Sequence, residues 1–474
     1  MSLSSALSNA LSGLTASSRG ASVISSNLSN IMTEGYGVRD LSLSARSTGS
    51  EGGVSVNGVI RRADSALIGE RRFADAEQAQ ASVQSRYMER VAVLVGDPTD
   101  ASSLTGLLAE FEADLISAAS LPESETRLQS VLQSASALSG SLNAMSAGVQ
   151  TLRAEADRAI ETRVSQLNTM LTDIQDLNQD IVAAGSQGHE TAGLLDQRQA
   201  LIDQVSAIVP VKELPRDLGS VALMTPNGVM LVDSQAAEVS FDARNTVTVG
   251  MSLENGLLSG LQVNGSDANL EGGELGGLLS MRDSTLPQLQ AQLDTVALDL
   301  IDRFSGLDAT LSAGAPGLFT DAGGAAGETA GIAARISINA LADPEQGGAV
   351  WHLRDGLGAA QPGNIGEARF LQSMLDAMQE NIAPSSDALG SQTRDAATLI
   401  SDFMSAVALQ GDRVDREMSF ASVRQSQLAE MEAAQGVDTD AELQKLLLVE
   451  QVYAANAKLI QAVDEMLEQL MEIA

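Results

Sequence analysis

The residues able to do chemistry are few in this chain. Cysteine is absent, which removes thiol nucleophiles, Cys-metal centres and disulfides together. The two histidines, His189 and His352, lie far apart in glycine-flanked loop contexts, and neither has a ligand companion at helical spacing. The stretch VDTDAE, with Asp438, Asp440 and Glu442, opens as a calcium loop does. The turn-glycine position then falls on Leu443 and the closing-glutamate position on Val449, so the pattern fails. These acids suit the N-terminus of a helix better. No P-loop, GxGxxG or GxSxG motif is present, and spacing singles out no glycosidase couple among the 62 acidic residues. The expectation is a protein that is not an enzyme, with no catalytic residue, no cofactor and no metal.

Composition points the same way. The chain has 474 residues, 44% of them hydrophobic, enough for substantial cores and more than one domain. Its net charge of −34 repels nucleic acid phosphates and anionic membranes, so neither is expected as a partner. No stretch approaches the roughly 20 apolar residues of a membrane span. The first 31 residues carry only Arg19 and no apolar run free of Ser or Asn, unlike a secretory signal or a transit peptide. Aromatic residues make up 3%, the composition of long packed helices rather than of a pocketed enzyme.

The elements that must carry any function are therefore helical. Leu3, Leu7, Ala10, Leu14, Ser17, Ala21, Ile24, Leu28 and Ile31 recur at alternating steps of four and three, a coiled-coil seam that Gly35 and Gly37 are expected to stop. Within it, ASVISSNLSNIMTEGYGVR (21–39) has Ser and Asn where a wet helix would carry Glu and Lys. Residues 33–60 read as an extended linker. Helices are expected over about 62–95 and 103–120. Ser120 and Glu123 then form a capping-box pair for a helix of about 60 residues, roughly 90 Å long. Its seam runs Leu128, Val131, Ala135, Leu138, Leu142, Met145, Val149, Leu152, Ala156, Ala159, slips by one residue, and resumes at Ile160, Val164, Leu167, Leu171 and Ile174.

Near Pro210 the pattern changes. Asn227-Gly228 is a hairpin signal, Asn255-Gly256 and Asn264-Gly265 repeat its turn chemistry, and residues 210–272 read as a small β-rich insertion whose flanking helices should pack without it. Helix returns across 274–305. Residues 306–365 are Gly/Ala-rich with one strand at ARISI, and helical pattern then runs almost to the end. Leu446, Val449, Tyr453, Asn456, Ile460, Val463, Leu467 and Leu470 form a closing seam. The fold expected is mainly α and elongated. Residues 1–32 and 436–474 pair as a terminal coiled-coil domain, 33–60 link it to the rest, 61–209 and 273–435 form a long helical bundle, and 210–272 is the insertion.

ALSNALSGLTASSRGASVISSNLSNIMTEGYGVR resembles the N-terminal signature of the bacterial flagellar axial proteins (rod, hook and hook-associated) through Leu11, Gly13, Leu14, Ala16, Ser26, Asn27, Asn30, Thr33, Gly35 and Tyr36. The family more often has Asn-Asn-Ile-Ala-Asn where this chain has SNLSN. The C-terminal stretch resembles the family's other signature through Glu442, Leu443, Gln451, Tyr453, Ala455, Asn456, Ala457 and Lys458. GVSVNGVIRRADSALIGERR (53–72), LLDQRQALIDQVSAIV (194–209) and GELGGLLSMRDSTLPQLQAQLD (273–294) point to the hook-associated members, and LLDQRQ is the most telling.

The resemblance implies a structural component of the flagellum, forming the layer between hook and filament. It also implies terminal helices surrounded by those of neighbouring subunits, where an unpaired Lys or Glu would cost several kcal/mol. The expected assembly interface is Leu3, Leu7, Leu14, Ile24, Asn27, Leu28, Asn30, Ile31, Gly35 and Tyr36 with Leu446, Val449, Tyr453, Asn456, Ile460, Val463, Leu467 and Leu470. Implied partners are the chain itself in a ring or helical layer, the hook protein, the second hook–filament junction protein, and a cytosolic export chaperone on the C-terminal helix. Location would be the extracellular flagellum, reached by the flagellar type III route without a cleaved signal. The alternatives are another axial protein (hook, distal rod or second junction protein), a secreted coiled-coil adhesin or effector, or a peptidoglycan hydrolase.

Overall fold

The computed structural model describes residues 3–33, 35–46 and 52–473; Glu34 and residues 47–51 of the expected linker lie outside the described residues. The chain opens with helix α1 (Leu3–Ser29). That helix stops before the glycines named above: Asn30 turns its backbone N–H onto Ser26 and Asn27, and Ile31 sits in the turn beyond. Strands β1 (Arg39–Ala45) and β2 (Val54–Arg61) then form an antiparallel hairpin with a register shift at Ser42/Leu43. The expected linker is thus a paired ribbon over most of its described residues.

Helix α2 (Ser65–Val95) begins where the Asp64 carboxylate accepts from the Ala66 and Leu67 N–H groups. Helix α3 (Leu104–Ser120) begins at the Ser103 hydroxyl in the same way. The expected Ser120/Glu123 capping box is not formed. Ser120 is the last residue of α3 and its hydroxyl donates to Ser117 O, so helix α4 (Glu125–Ser186) starts after Ser124 without a side-chain cap. Its 62 residues are unbroken, and every seam position predicted for it is buried except the half-buried Ala159. The slip is three successive steps of four, Leu152–Ala156–Ile160–Val164, which a straight 3.6-residue helix absorbs.

After α5 (Ala192–Ile208) come six short strands: β3 (Lys212–Pro215), β4 (Val221–Met224), β5 (Met230–Val232), β6 (Val239–Ser240), β7 (Gln262–Val263) and β8 (Ser266–Asp267). They make two antiparallel three-stranded sheets, β3-β4-β5 and β6-β7-β8. The expectation that their flanking helices pack without them is corrected here. Val221, Leu223, Leu231, Val239, Leu261 and Val263 share one core with Ile160, Val164, Leu167, Leu171 and Ile174 of α4 and with Ile202 and Val205 of α5. Two asparagines of α4 bind strand backbone like an extra sheet edge. Asn168 donates to Val239 O at 2.7 Å and accepts from Val239 N at 2.9 Å; Asn178 does the same to Val221 at 2.9 and 3.2 Å.

Helix returns as α6 (Gly273–Ser280) and α7 (Leu286–Phe304), separated by a π-helical turn at Met281–Thr285 that the sequence reading ran straight through. The Gly/Ala-rich stretch holds strands β9 (Phe319–Asp321) and β10 (Ile336–Ile338), paired antiparallel, and the single turn α8 (His352–Asp355). Helices α9 (Arg369–Gln379), α10 (Ala396–Ala434) and α11 (Thr439–Ile473) complete a mainly α, elongated fold.

The body has two apolar cores. One joins α3, the first half of α4, α7, β9, β10, α9 and the start of α10; the other joins the second half of α4, α5, α6 and strands β4, β5, β6 and β7. Both draw on α2, and they meet on α4 between Leu152 and Ala156. Three buried charges, Arg153, Asp157 and Arg282, gather at that level. Arg282, in the π turn, is fully buried, pairs with Asp157 at 2.6 Å and Asp283 at 2.7 Å, and donates to Ser259 O. Arg153 donates to the carbonyls of Arg282, Thr248 and Met251. Each guanidinium is thus supplied with acceptors, as burial requires.

Candidate assembly interface

α1 and α11 lie side by side because α1 offers notches rather than ridges. A Cβ on Gly13 would stand 2.7 Å from Asn456 Nδ2, so the Asn456 side chain occupies the space that glycine leaves. Gly20 faces Val449, at ordinary contact distance, and Ala10, Ala16 and Ser17 are buried beside them. Asn456 donates to Val452 O of its own helix, so register comes from its fit over Gly13 and not from a polar bond across the seam.

The expected interface residues divide into three sets. Ile24, Asn27 and Val463 are buried within the chain. Leu3, Leu14, Leu28, Asn30, Gly35, Tyr36, Leu446, Val449, Asn456 and Ile460 are partly covered. Leu7, Ile31, Tyr453 and Leu467 are exposed, and the side chain of Leu470 lies outside the described residues. Exposed apolar side chains that the seam reading did not include join the last set: Leu11 on α1, and Leu443, Leu447, Leu448, Val452, Leu459 and Met466 on α11. A helix apolar around its circumference belongs inside something larger than its own monomer. An apolar cavity of about 630 Å³ opens between α1, α11 and the β1-β2 hairpin, lined by Ala16, Val23, Leu41, Val54, Leu448 and Val452.

Polar ties hold this terminal unit together and to the body. Asn27 uses its full amide capacity. Its Nδ2 donates to Arg39 O at 2.9 Å and Glu442 Oε2 at 3.1 Å; its Oδ1 accepts from Tyr36 OH at 2.8 Å and Arg39 N at 3.1 Å. Glu442 is buried in the first turn of α11, and its other oxygen accepts from Lys445 at 2.6 Å. That hydrogen bond, with the nearby Asp40 carboxylate, holds the Lys445 ammonium above its ordinary pKa. Two of the three calcium-like acids are thereby accounted for. Asp438 caps α11 by accepting from the Asp440 and Ala441 N–H groups, and Glu442 receives Asn27.

A second tie runs through LLDQRQ. Asp196 accepts from Arg61 Nε at 2.6 Å, Arg39 Nη2 at 3.0 Å and Gly37 N at 3.1 Å, pinning the hairpin base to α5. Arg198 donates to Asn178 and to Gly219 O, both at 2.8 Å, and Gln199 accepts from Arg61. Close by, Arg71 and Arg72 share Asp203, at 2.8 and 2.5 Å, and Arg71 also pairs with Glu432 of α10. The two histidines take no part. His189 is an exposed loop residue, and His352 stacks on Trp351 with Nδ1 3.0 Å from Gly356 O. Among the described residues no group of three or more His, Asp and Glu side chains is placed to hold a metal.

Comparison with known proteins shows what this frame is similar to. Residues 88–314 match the helical domain of the flagellar hook-associated protein FlgK, and residues 430–473 match the C-terminal domain of the flagellar basal body rod FlgEFG proteins. Both matches are to proteins of the flagellar axial structure. Flagellar hook-associated protein 1 of Salmonella typhimurium is 27% identical over 322 residues, which cover 64% of this chain and 56% of that protein. Flagellar hook-associated protein 1 of Bacillus subtilis is 21% identical over 510 residues, covering 98% of this chain and 97% of its own length. The solved structure of the flagellar hook junction protein FlgK from Burkholderia pseudomallei is 22% identical, with a TM-score of 0.46 over 53% of this chain and 46% of its own.

Sequence reasoning missed Arg39, Arg61 and Asp196 as the residues that tie the hairpin to the body, and Glu442 as the one that ties α11 to α1. LLDQRQ drew notice for its wording alone. The physical signal available was an Asp, an Arg and two Gln among the helix-forming Leu and Ala of α5, more polarity than a helix in a core needs.

Proposed function

We propose that this chain is a structural component of the bacterial flagellum, forming the junction layer between hook and filament. The observation carrying this reading is that a hook-associated helical domain and a rod-type C-terminal domain occur together with two terminal helices whose outer faces remain apolar and exposed. In this reading residues 1–32 and 436–474 form the inner layer and 33–60 connect it outward. Residues 61–209 and 273–435 form the next layer, with 210–272 packed against it. The interface residues named above meet neighbouring copies in a ring or helical layer, the hook protein on one side and the second junction protein on the other. A cytosolic export chaperone covers the apolar face of α11 before assembly. The chain reaches the outside of the cell by the flagellar type III route.

Electron microscopy of a strain lacking the gene tests the reading. Hooks without filaments are expected; filaments of normal length and number would overturn it.

A further inference from the structure

Asn-Gly pairs occur at Asn57, Asn227, Asn255 and Asn264. Such a pair has a reaction of its own: the glycine backbone nitrogen can attack the asparagine side-chain carbonyl, and with no Cβ on the attacking residue nothing crowds the approach. The fold restrains these pairs unequally. Asn255 Nδ2 donates to Gly250 O at 2.6 Å, and its Oδ1 accepts from Ser252 N and Leu257 N, both at 3.1 Å. Asn264 Oδ1 accepts from Glu238 N at 3.0 Å while its own N–H donates to Glu238 O at 2.8 Å. Asn57 is the extra residue of the bulge in β2, between Val56 and Gly58, which pair with Leu43 and Ser42, and its Oδ1 accepts from Ser44 at 3.0 Å. Turning any of these carboxamides onto the next nitrogen breaks hydrogen bonds that the fold maintains.

Asn227 has no such anchor. Its side chain is exposed and has no hydrogen-bond partner among the described residues. It stands in the three-residue loop Pro226-Asn227-Gly228 between β4 and β5, closed by Thr225 N donating to Val229 O at 2.9 Å. Gly228, at φ +87°, supplies the left-handed position that such a loop needs. The attacking nitrogen carries the turn bond to Thr225 O at 3.0 Å, and Gly256 N carries an equivalent bond to Leu253 O at 3.0 Å. Against the Asn255 pair, the difference therefore lies in the asparagine side chain and not in the glycine.

We propose that Asn227 is a self-modification site, converting through a cyclic imide to isoaspartate faster than the other Asn-Gly pairs. Gly228 N loses its proton to hydroxide and bonds to Asn227 Cγ. The bond from Cγ to Nδ2 breaks, and that nitrogen leaves as ammonia with a proton taken from water, which restores the hydroxide. Water then opens the ring. Addition at the main-chain carbonyl leaves isoaspartate, and addition at Cγ leaves aspartate. In isoaspartate the main chain runs through Cβ and Cγ, so the loop gains one carbon as well as a carboxylate. Strand β5 follows at once, with Leu231 and Val232 fully buried in the core shared with α4, and it is the element that the longer loop displaces.

The test ages the purified chain in alkaline buffer, either folded or in guanidinium chloride, and then cuts it with trypsin. Fragment 217–244 holds Asn227, fragment 47–61 holds Asn57, and fragment 245–282 holds the other two. In the folded chain isoaspartate should accumulate in 217–244 about tenfold faster than in either other fragment, the factor imposed by opening one or two hydrogen bonds. In guanidinium chloride the rates per pair should converge. Equal rates in the folded chain would overturn the proposal, and so would a ranking that survives unfolding. Hydrogen exchange tests the consequence. The aged chain should lose protection in β5, whereas Asn227→Asp, which adds the charge without the carbon, should keep it. Unchanged protection in chains carrying isoaspartate at 227 would refute the displacement of β5.

Discussion

Asn27 Nδ2 lies 3.1 Å from Glu442 Oε2, joining the end of α1 to the start of α11 across 415 positions of sequence, and both side chains are buried. The remaining bonds of Asn27 fix Tyr36 and the first residue of β1, so one amide sets the angle at which three segments meet. Asn27→Ala would leave a buried carboxylate oxygen and the Arg39 backbone without these partners. The expected cost is about 2–3 kcal/mol, confined to the terminal unit. Hydrogen exchange should show faster opening of α1 and α11 with α4 unchanged. A double-mutant cycle with Glu442→Gln should show coupling, and simple additivity would mean that the two side chains do not support each other.

Asp196→Ala should release the hairpin base from α5. Arg39 and Arg61 are each mostly covered and would lose their shared carboxylate, at a cost of roughly 2–3 kcal/mol. Limited proteolysis should then cut within residues 35–61 well before the helical body. An unchanged digestion pattern would show that packing alone holds the ribbon.

Replacing residues 211–271 with a short Gly/Ser linker should give a molten or insoluble product. The strands cover Leu167, Leu171, Ile174 and Val205, and each such side chain returned to water costs about 1.5–3 kcal/mol. A soluble variant with a cooperative thermal transition and the parent's helical signal would show that the helices close over the gap.

The junction between α1 and α11 should loosen in alkali. Lys445 has its pKa raised by Glu442 and Asp40 in the folded chain, so its proton stabilises the fold. That contribution is complete below the ordinary lysine value of about 10.4 and is lost as pH rises through the higher folded value. Exchange-broadening of α11 amide signals should grow across that window in the parent and not in Lys445→Met. Equal behaviour of the two would refute the assignment.

Much of this architecture was legible in the chain. The α4 seam follows the three-and-four rhythm because the buried side of a helix packed at several levels must be apolar at nearly every turn. The hairpin turns at Gly228 and Gly265 were legible because both take positive φ, where a side chain is strained. The terminal seams were only half legible. Periodicity finds an apolar stripe, yet here both faces of α11 are apolar, and only Val463 among its predicted and described residues is buried in the monomer. The polar ties at Asn27, Asp196 and Arg282 were not legible as ties. Each side chain finds partners more than 100 positions away, and nothing local marks a buried Asn or Arg as satisfied.

The unbroken length of α4 has a mechanical consequence. Roughly 93 Å of continuous hydrogen-bonded helix runs through both cores, and charged pairs bolt it to its neighbours at the level where those cores meet. Two lobes sharing only a loop would swing independently and dissipate a twist in that loop. Here a torque applied beside Leu128 arrives at Ile181 with little lag, so the body turns as one shaft. Compliance is left to the two-stranded ribbon and its Asp196 clamp.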